Sequence, residues 1–414
     1  MEVGGLYLKY RSVYCGMKME SVFVRSLLGL IILSLWACEA DKTQGVKEGV
    51  IAVKVPEELQ KGSHNELADL IAGVDIIPLE TTDSSLLKEP DKLVMDEFIY
   101  YLNRPAKSLH IFDREGKFVK ALPQGRGPGE IYQILDFQMD DNGNLLALEY
   151  ENLLRYSPEG DYLDEFKLLP DSTYDLNVMR FAWLGDNHFY LWQNGGLELE
   201  KRDQETYYHL FHMKGGQLLG SNLEAFSWTM GTNRFLHNGE NYMVSPTMYD
   251  NSIYEIDKNG GLQHKYEIDF GNANVDRNQL RPGFSREVRD SNFKRISKFS
   301  MGISKVYELG DYLYFQFVSN RQFRFVLYHL KEGTVHSSSM NDALIDDQLP
   351  FRIIGIDRKE QKLLAIAEPP YLLAYLKATK KSLEESRLLN AEDVRLLNGL
   401  EETDNPVLLR LSLD

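Results

Sequence analysis

From Asp75 onward the chain is a succession of short apolar or alternating runs, each closed by Gly, Asp, Asn or Ser, the pattern of strands and turns. One unit recurs. Residues 108–122 (SLHIFDREGKFVKAL) read as a strand, a polar turn from Asp113 to Gly116, and a second strand, with the glycine supplying the positive φ that the turn needs. The same shape returns at 153–169, 207–223, 252–270 and 325–340. The turn glycines Gly116, Gly160, Gly216, Gly260 and Gly333 are 44, 56, 44 and 73 residues apart, a period near 44 with insertions in two intervals. That period suits a four-stranded propeller blade. A further pair of runs precedes each hairpin, at 93–102, 135–150, 180–193, 235–245 and 306–317. A sixth unit is assembled from 351–357, 362–368 and 406–413 together with 74–79 from the other end of the chain, which would close a ring and remove its exposed edges. The pattern predicts an all-β fold over 74–414, a six-bladed β-propeller of four-stranded antiparallel blades. Within 376–400, Leu383, Leu388, Leu389, Val394 and Leu397 mark one amphipathic helix as a short C-terminal insertion against the rim.

The N-terminus reads as an address. Lys18 and Arg25 precede the apolar run 26–37 (SLLGLIILSLWA), which fits a signal peptide and is short of the roughly 20 residues a membrane-spanning helix needs. Leu35-Trp36-Ala37-Cys38 resembles a bacterial lipobox, which implies a lipid on Cys38 and a mature chain beginning there. Met17 or Met19 is the more natural start, which leaves Cys15 ahead of the protein. Residues 43–63 are polar and read as a tether. The expected division is signal peptide 1–37, lipidated N-terminus and tether 38–73, and propeller 74–414.

Composition narrows the function. Hydrophobic residues are 43% of the chain and aromatics 11%, enough for a sizeable core. The charge balance of 46 − 62 = −16 argues against nucleic acid as a partner, because phosphate binding depends on clustered Lys and Arg. Two cysteines cannot build a disulfide framework or a cysteine-ligated zinc or iron–sulfur site. Gly125 to Glu130 (GRGPGE) lacks the spacing and the strand–helix context of a dinucleotide loop. Asp140, Asn142, Asn144 and Glu151 have calcium-loop spacing, but Leu145 stands where such a loop needs glycine, so a hairpin turn is the better reading. His209 and His212 are three apart, and on a strand they project to opposite faces. No cofactor and no metal is expected.

Binding candidates remain. Arg126 and Glu130 could present charge from the GRGPGE loop, whose simpler reading is a structural connection. Residues 275–299 carry seven basic and three acidic side chains, net 7 − 3 = +4, on an acidic body. Arg281, Arg286 and Arg289 there suit carboxylate, sulfate or phosphate groups. A solvated helix with an Arg286–Asp290 pair is the plainer alternative. Trp183, Trp192 and Trp228 could stack on sugars or pack in the core.

Ile77-Pro78-Leu79-Glu80-Thr81, the hairpin Leu109 to Asp113 with Gly116-Lys117-Phe118, the GRGPGE segment and Asp404-Asn405-Pro406-Val407-Leu408 together resemble the six-bladed β-propeller lipoproteins of Bacteroidetes, whose blades are similar to NHL repeats. The resemblance spans roughly 74–414 and implies fold and location: an exported lipoprotein of the outer membrane, facing the surface or the periplasm. Glu39 to Lys42 (EADK) resembles the surface-export signals of such lipoproteins. The family has no settled activity to carry over. The function expected is binding or scaffolding, in which the propeller face captures a glycan or peptide or docks an envelope protein, and membrane contact runs through Cys38. The alternative is a propeller enzyme, a lyase or hydrolase acting on a polysaccharide or other polymer, for which no catalytic residue can be named from sequence.

Overall fold

Runs of Val, Ile, Leu, Tyr and Phe between Gly- and Asp-containing turns give a mostly-β body with a propeller-like arrangement and few helices. The computed structural model describes residues 49–61, 66–103, 108–150, 152–168, 178–193, 208–224, 235–238, 241–245, 250–274, 302–319, 322–339 and 343–414. The expected signal, Cys38, Glu151, Trp228 and the basic insert with Arg281, Arg286 and Arg289 lie outside these residues.

β1 (Ile51–Lys54) and β2 (Ile71–Pro78) precede the repeated units. The first unit is β3 (Pro90–Met95), β4 (Ile99–Asn103), β5 (Leu109–Phe112) and β6 (Phe118–Ala121). The second is β7 (Asp136–Met139), β8 (Leu145–Glu149), β9 (Asn152–Tyr156) and β10 (Tyr162–Lys167). The third is β11 (Val178–Trp183), β12 (His188–Gln193), β13 (Tyr208–Lys214) and β14 (Gln217–Glu224). Then come β15 (Leu236–Asn238), β16 (Asn241–Val244), β17 (Ser252–Ile256) and β18 (Leu262–Asp269), followed by β19 (Ile303–Leu309), β20 (Tyr312–Ser319), β21 (Gln322–His329) and β22 (Val335–Ser339). After the small ladder of β23 (Leu344–Ile345) and β24 (Leu349–Pro350), β25 (Arg352–Asp357), β26 (Lys362–Ala367) and β27 (Val407–Leu413) end the chain. Within each unit consecutive strands pair antiparallel, and all five turn glycines picked out by the sequence have φ between 72° and 89°. The first strands of successive units face one another: Lys92 on β3 reaches the Phe137 carbonyl on β7, and Gln138 on β7 reaches the Phe181 carbonyl on β11.

The ladders depart from six separate sheets. β25 pairs in parallel with β3, so two four-stranded arrays merge into one sheet of order β2-β27-β26-β25-β3-β4-β5-β6. A Cβ on Gly355 would fall 2.4 Å from the Leu93 carbonyl oxygen, so this approach needs glycine. β1 adds in parallel to β18, which makes that sheet five-stranded. The tether expected over 43–63 therefore contains a strand: Val53 and Val55 are buried, and the Gln60 amide donates to the Val55 and Phe270 carbonyls from helix α1 (Glu57–Lys61). A compact unit spans Gly49–Asp414 and so includes residues ahead of the expected boundary at 74.

The single helix expected over 376–400 is two. α2 (Pro369–Thr379) stops where Lys380 turns left-handed, and α3 (Ala391–Asn398) starts at an Asn390–Asp393 capping box. Between them Asp346 accepts hydrogen bonds from the Ser386 hydroxyl and from the Arg387 and Leu388 amides. Burial alone would raise that carboxyl, but the bonds from Arg387 and Ser386 outweigh it and hold it below the usual carboxylate range. Asp140 accepts from the Asn142 and Asn144 amides, the expected hairpin turn.

Among the described residues the buried apolar side chains form six clusters, most of which join strands of neighbouring units. Ile77, Leu93, Tyr101, Leu364 and Leu408 belong to the cluster that joins the last array to the first. That junction also gathers most of the segments that carry the family resemblance. β2 pairs with β27 along its length, so strands from both ends of the chain share one sheet. The Gly116 turn packs where a Cβ would meet the Pro78 carbonyl at 2.1 Å, Glu80 N donates to the Gly116 carbonyl, and Phe118 N donates to the Glu80 carboxylate. Arg114 of the same turn reaches the buried Asp357 carboxylate at 2.7 Å, which Arg410 also approaches at 3.2 Å. Asn405 completes the clasp: its amide donates to the Glu80 and Ser85 carbonyls and accepts from Leu87 N. Replacing Asn405 by Ala strands these buried groups and is expected to cost roughly 2–4 kcal/mol. Urea unfolding of the variant beside the wild type measures it.

Candidate binding site in the axial channel

Of the expected surface candidates, Arg126, Glu130, Trp183 and Trp192 lie among the described residues. Glu130 folds back on its own loop, accepting from Gly127 N and filling the space a Cβ on Gly125 would need. Tyr162 packs against Gly129 in the same way, so the GRGPGE segment is built as a packed connection. Arg126 is exposed and lies 4.8 Å above the Tyr132 ring. Trp192 is 1% exposed and stacks on His209 at 4.9 Å, so it is core and cannot meet a ligand at the surface. Trp183 is half-buried between Phe166 and Phe189.

The chemistry instead gathers where the first strands of the units converge. Lys92 on β3 is buried, with its ammonium 2.8 Å from the Asp136 carboxylate on β7, 2.5 Å from the Phe137 carbonyl and 4.7 Å from the centre of the Phe137 ring. Asp91 beside it lies 3.6 Å from Arg180 on β11, and the Arg180 guanidinium also donates to the Leu135 and Met179 carbonyls. Asp136 further accepts from Phe137 N and Phe181 N. Two cations and two carboxylates thus pair across the first strands of three successive units. Such burial is tolerated only when every charge is paired, and paired carboxylates are poorly placed to move substrate protons.

Beside this network lies a small cavity of about 20 Å³, room for about one water-sized group. Its walls come from β3, β7, the start of β15, β19 and β25: Leu93, Val94, Phe137, Met139, Phe235, Leu236, Tyr307, Ile354 and Ile356. Three polar side chains interrupt the apolar lining, Lys92, Gln138 and Arg358. The Gln138 amide donates to the Phe181 and Phe235 carbonyls and ties three units together. Arg358 is the group with capacity to spare. Its Nη1 is buried 3.1 Å from the Asp96 carboxylate but lacks the geometry of a hydrogen bond to it.

None of these residues was singled out from sequence. The available signal was a polar residue inside an otherwise apolar run, as with Lys92 in PDKLVM, Gln138 in DFQM and Arg180 in VMRFAW, since buried polar groups are the informative exceptions in strands. The charge network gives a direct test. Lys92→Met leaves Asp136 buried without its cation and is expected to destabilise by about 3–5 kcal/mol, whereas adding Asp136→Asn to it recovers part of the loss. Chemical denaturation of the two single variants and the double variant measures the coupling.

One solved structure shares the fold. A Bacteroides fragilis protein described as exported is 16% identical, with a TM-score of 0.65 over 88% of this chain and 99% of its own. A member of the DUF4221 family from Bacteroides vulgatus is 10% identical, with a TM-score of 0.48 over 83% of this chain and 99% of its own. A Bacteroides caccae protein of unknown function is 12% identical, with a TM-score of 0.38 over 65% of this chain and 92% of its own. No curated protein matches. The family model for a domain of unknown function, DUF4934, matches residues 50–412, and the chain belongs to that family.

Proposed function

We propose that this chain is an exported, lipid-anchored binding propeller whose axial cavity captures a small terminal group of a larger ligand. The single observation that carries this is the cavity's make-up: an apolar wall, one buried guanidinium nitrogen with bonding capacity to spare, and carboxylates already neutralised by cations. An apolar space ending at an arginine favours a peptide whose apolar residue carries a free carboxylate over a neutral glycan, which would need exposed aromatic platforms. Among the described residues lining the cavity, the carboxylates nearby are paired with cations, which favours binding over the acid–base work of a lyase or hydrolase.

Six blades is the count we favour, because most of the six clusters join strands of neighbouring units and the eight-stranded sheet divides at β25 and β3 into two four-stranded arrays. Attachment through Cys38, with an outer-membrane location, is the reading that the lipobox-like LWAC and the resemblance to exported propellers support.

Two experiments check the proposal. In a library of short peptides with free C-termini, apolar-terminated members should bind without being cleaved. Arg358→Met should weaken them at least about tenfold, the cost of losing a charge-assisted hydrogen bond. Turnover of any hit, or binding unaffected by Arg358→Met, would contradict the proposal. In cells given a fatty-acid probe, Cys38→Ala should abolish labelling and release the protein from membranes, and retained labelling would contradict the anchor.

A further inference from the structure

Away from the channel, between the third unit and the turn joining β17 to β18, two imidazoles meet head to head. His188 opens β12 and His212 lies on β13, where Tyr190 pairs with His212, so the two histidines share one face on the diagonal. Their Nε2 atoms are 2.5 Å apart. One must donate and the other accept, so the pair holds a single proton between two nitrogens that are both metal ligands when deprotonated. Tyr190 stacks on His212 at 4.4 Å with 9° between the planes, and its hydroxyl donates to the Gly260 carbonyl, which fixes the ring against the neighbouring turn. Gly260 has φ +83, and a Cβ there would lie 2.5 Å from the His212 Nε2 and 2.9 Å from the His188 Nε2. Glycine therefore keeps side-chain atoms off both nitrogens.

We propose that His188 and His212 form a two-histidine site for a first-row transition-metal dication, with Cu²⁺ favoured over Zn²⁺. Binding replaces the shared proton: the metal forms one bond to each Nε2, and the proton given up by the donor ring's Nε2 is taken up at that ring's Nδ1 by exchange with solvent, so both ligands are neutral imidazoles and no net proton is released. Bonds of about 2.0–2.1 Å set roughly 90° apart, as in a tetragonal Cu²⁺ or Ni²⁺ site, need the nitrogens about 2.8–3.0 Å apart, whereas a tetrahedral Zn²⁺ site needs about 3.3–3.4 Å. From 2.5 Å the tetragonal arrangement is the smaller movement. Among the described residues no group of three His, Cys, Asp or Glu side chains converges, so water would fill the remaining positions. The Irving–Williams order points the same way.

The test is titration of the detergent-solubilised full-length protein with Cu²⁺, Ni²⁺ and Zn²⁺ at neutral pH, each against His188→Ala, His212→Ala and, as a control, His336→Ala on β22. The expected result is one Cu²⁺ per chain bound more tightly than Ni²⁺ or Zn²⁺, lost at least tenfold in either site variant and kept in the control. Electron paramagnetic resonance of the wild-type Cu²⁺ complex should show coupling to two imidazole nitrogens, a readout independent of whether the variants fold. Cu²⁺ affinity unchanged in both site variants, or a spectrum without coupling to imidazole nitrogen, would overturn the proposal.

Discussion

The interaction on which the rest of this structure depends is the pairing of β2 with β27, which puts strands from both ends of the chain side by side in one sheet. A propeller of stacked sheets gains its stability between neighbours, so a gap anywhere exposes two apolar faces and two strand edges at once. Here the gap is closed by β2, and the closure is reinforced by side chains that tie loops on either side of it. Asn405 binds the segment after β2, Arg114 and Arg410 converge on the buried Asp357, and the Gly116 turn seats against Pro78. Residues that look scattered in sequence, in the IPLET, GKF and DNPV segments, thus serve one joint.

Closure sets the conditions for the channel. With the first strands held around one axis, polar residues at their starts are forced into mutual contact away from water. The protein meets the resulting desolvation cost by pairing Lys92 with Asp136 and Arg180 with Asp91, and by tying Gln138 to carbonyls of two other units. These links also tie successive units to one another. The cavity beside them is lined mainly by apolar side chains, with the Arg358 guanidinium among its polar groups.

Much of the fold was legible in the sequence because it is local. A hairpin announces itself through alternation and a glycine whose φ must be positive, and all five named turns form as read. Even the joining of 74–79 to 406–413 could be anticipated, since a ring needs its edges covered. Long-range consequences were not legible. The parallel approach of β25 to β3 depends on Gly355 meeting Leu93, and the parallel addition of β1 to β18 on two segments more than two hundred residues apart. The helical insertion broke in two because Asn390 offered a cap that the apolar periodicity alone concealed. The channel residues and the His188–His212 pair come from different strands brought together only by the fold, while Trp192 and Glu130, chosen for their chemistry, turned out to serve packing.

The most direct test of closure as the governing constraint is native-state hydrogen exchange across residues 49–414. If the ring stands or falls as one, amides of β2 and β27 will exchange only through global unfolding, with protection equal to that of β8 and β20 in the interior of their sheets. Exchange in β2 through a local opening well below the global free energy, with the channel strands still protected, would contradict it.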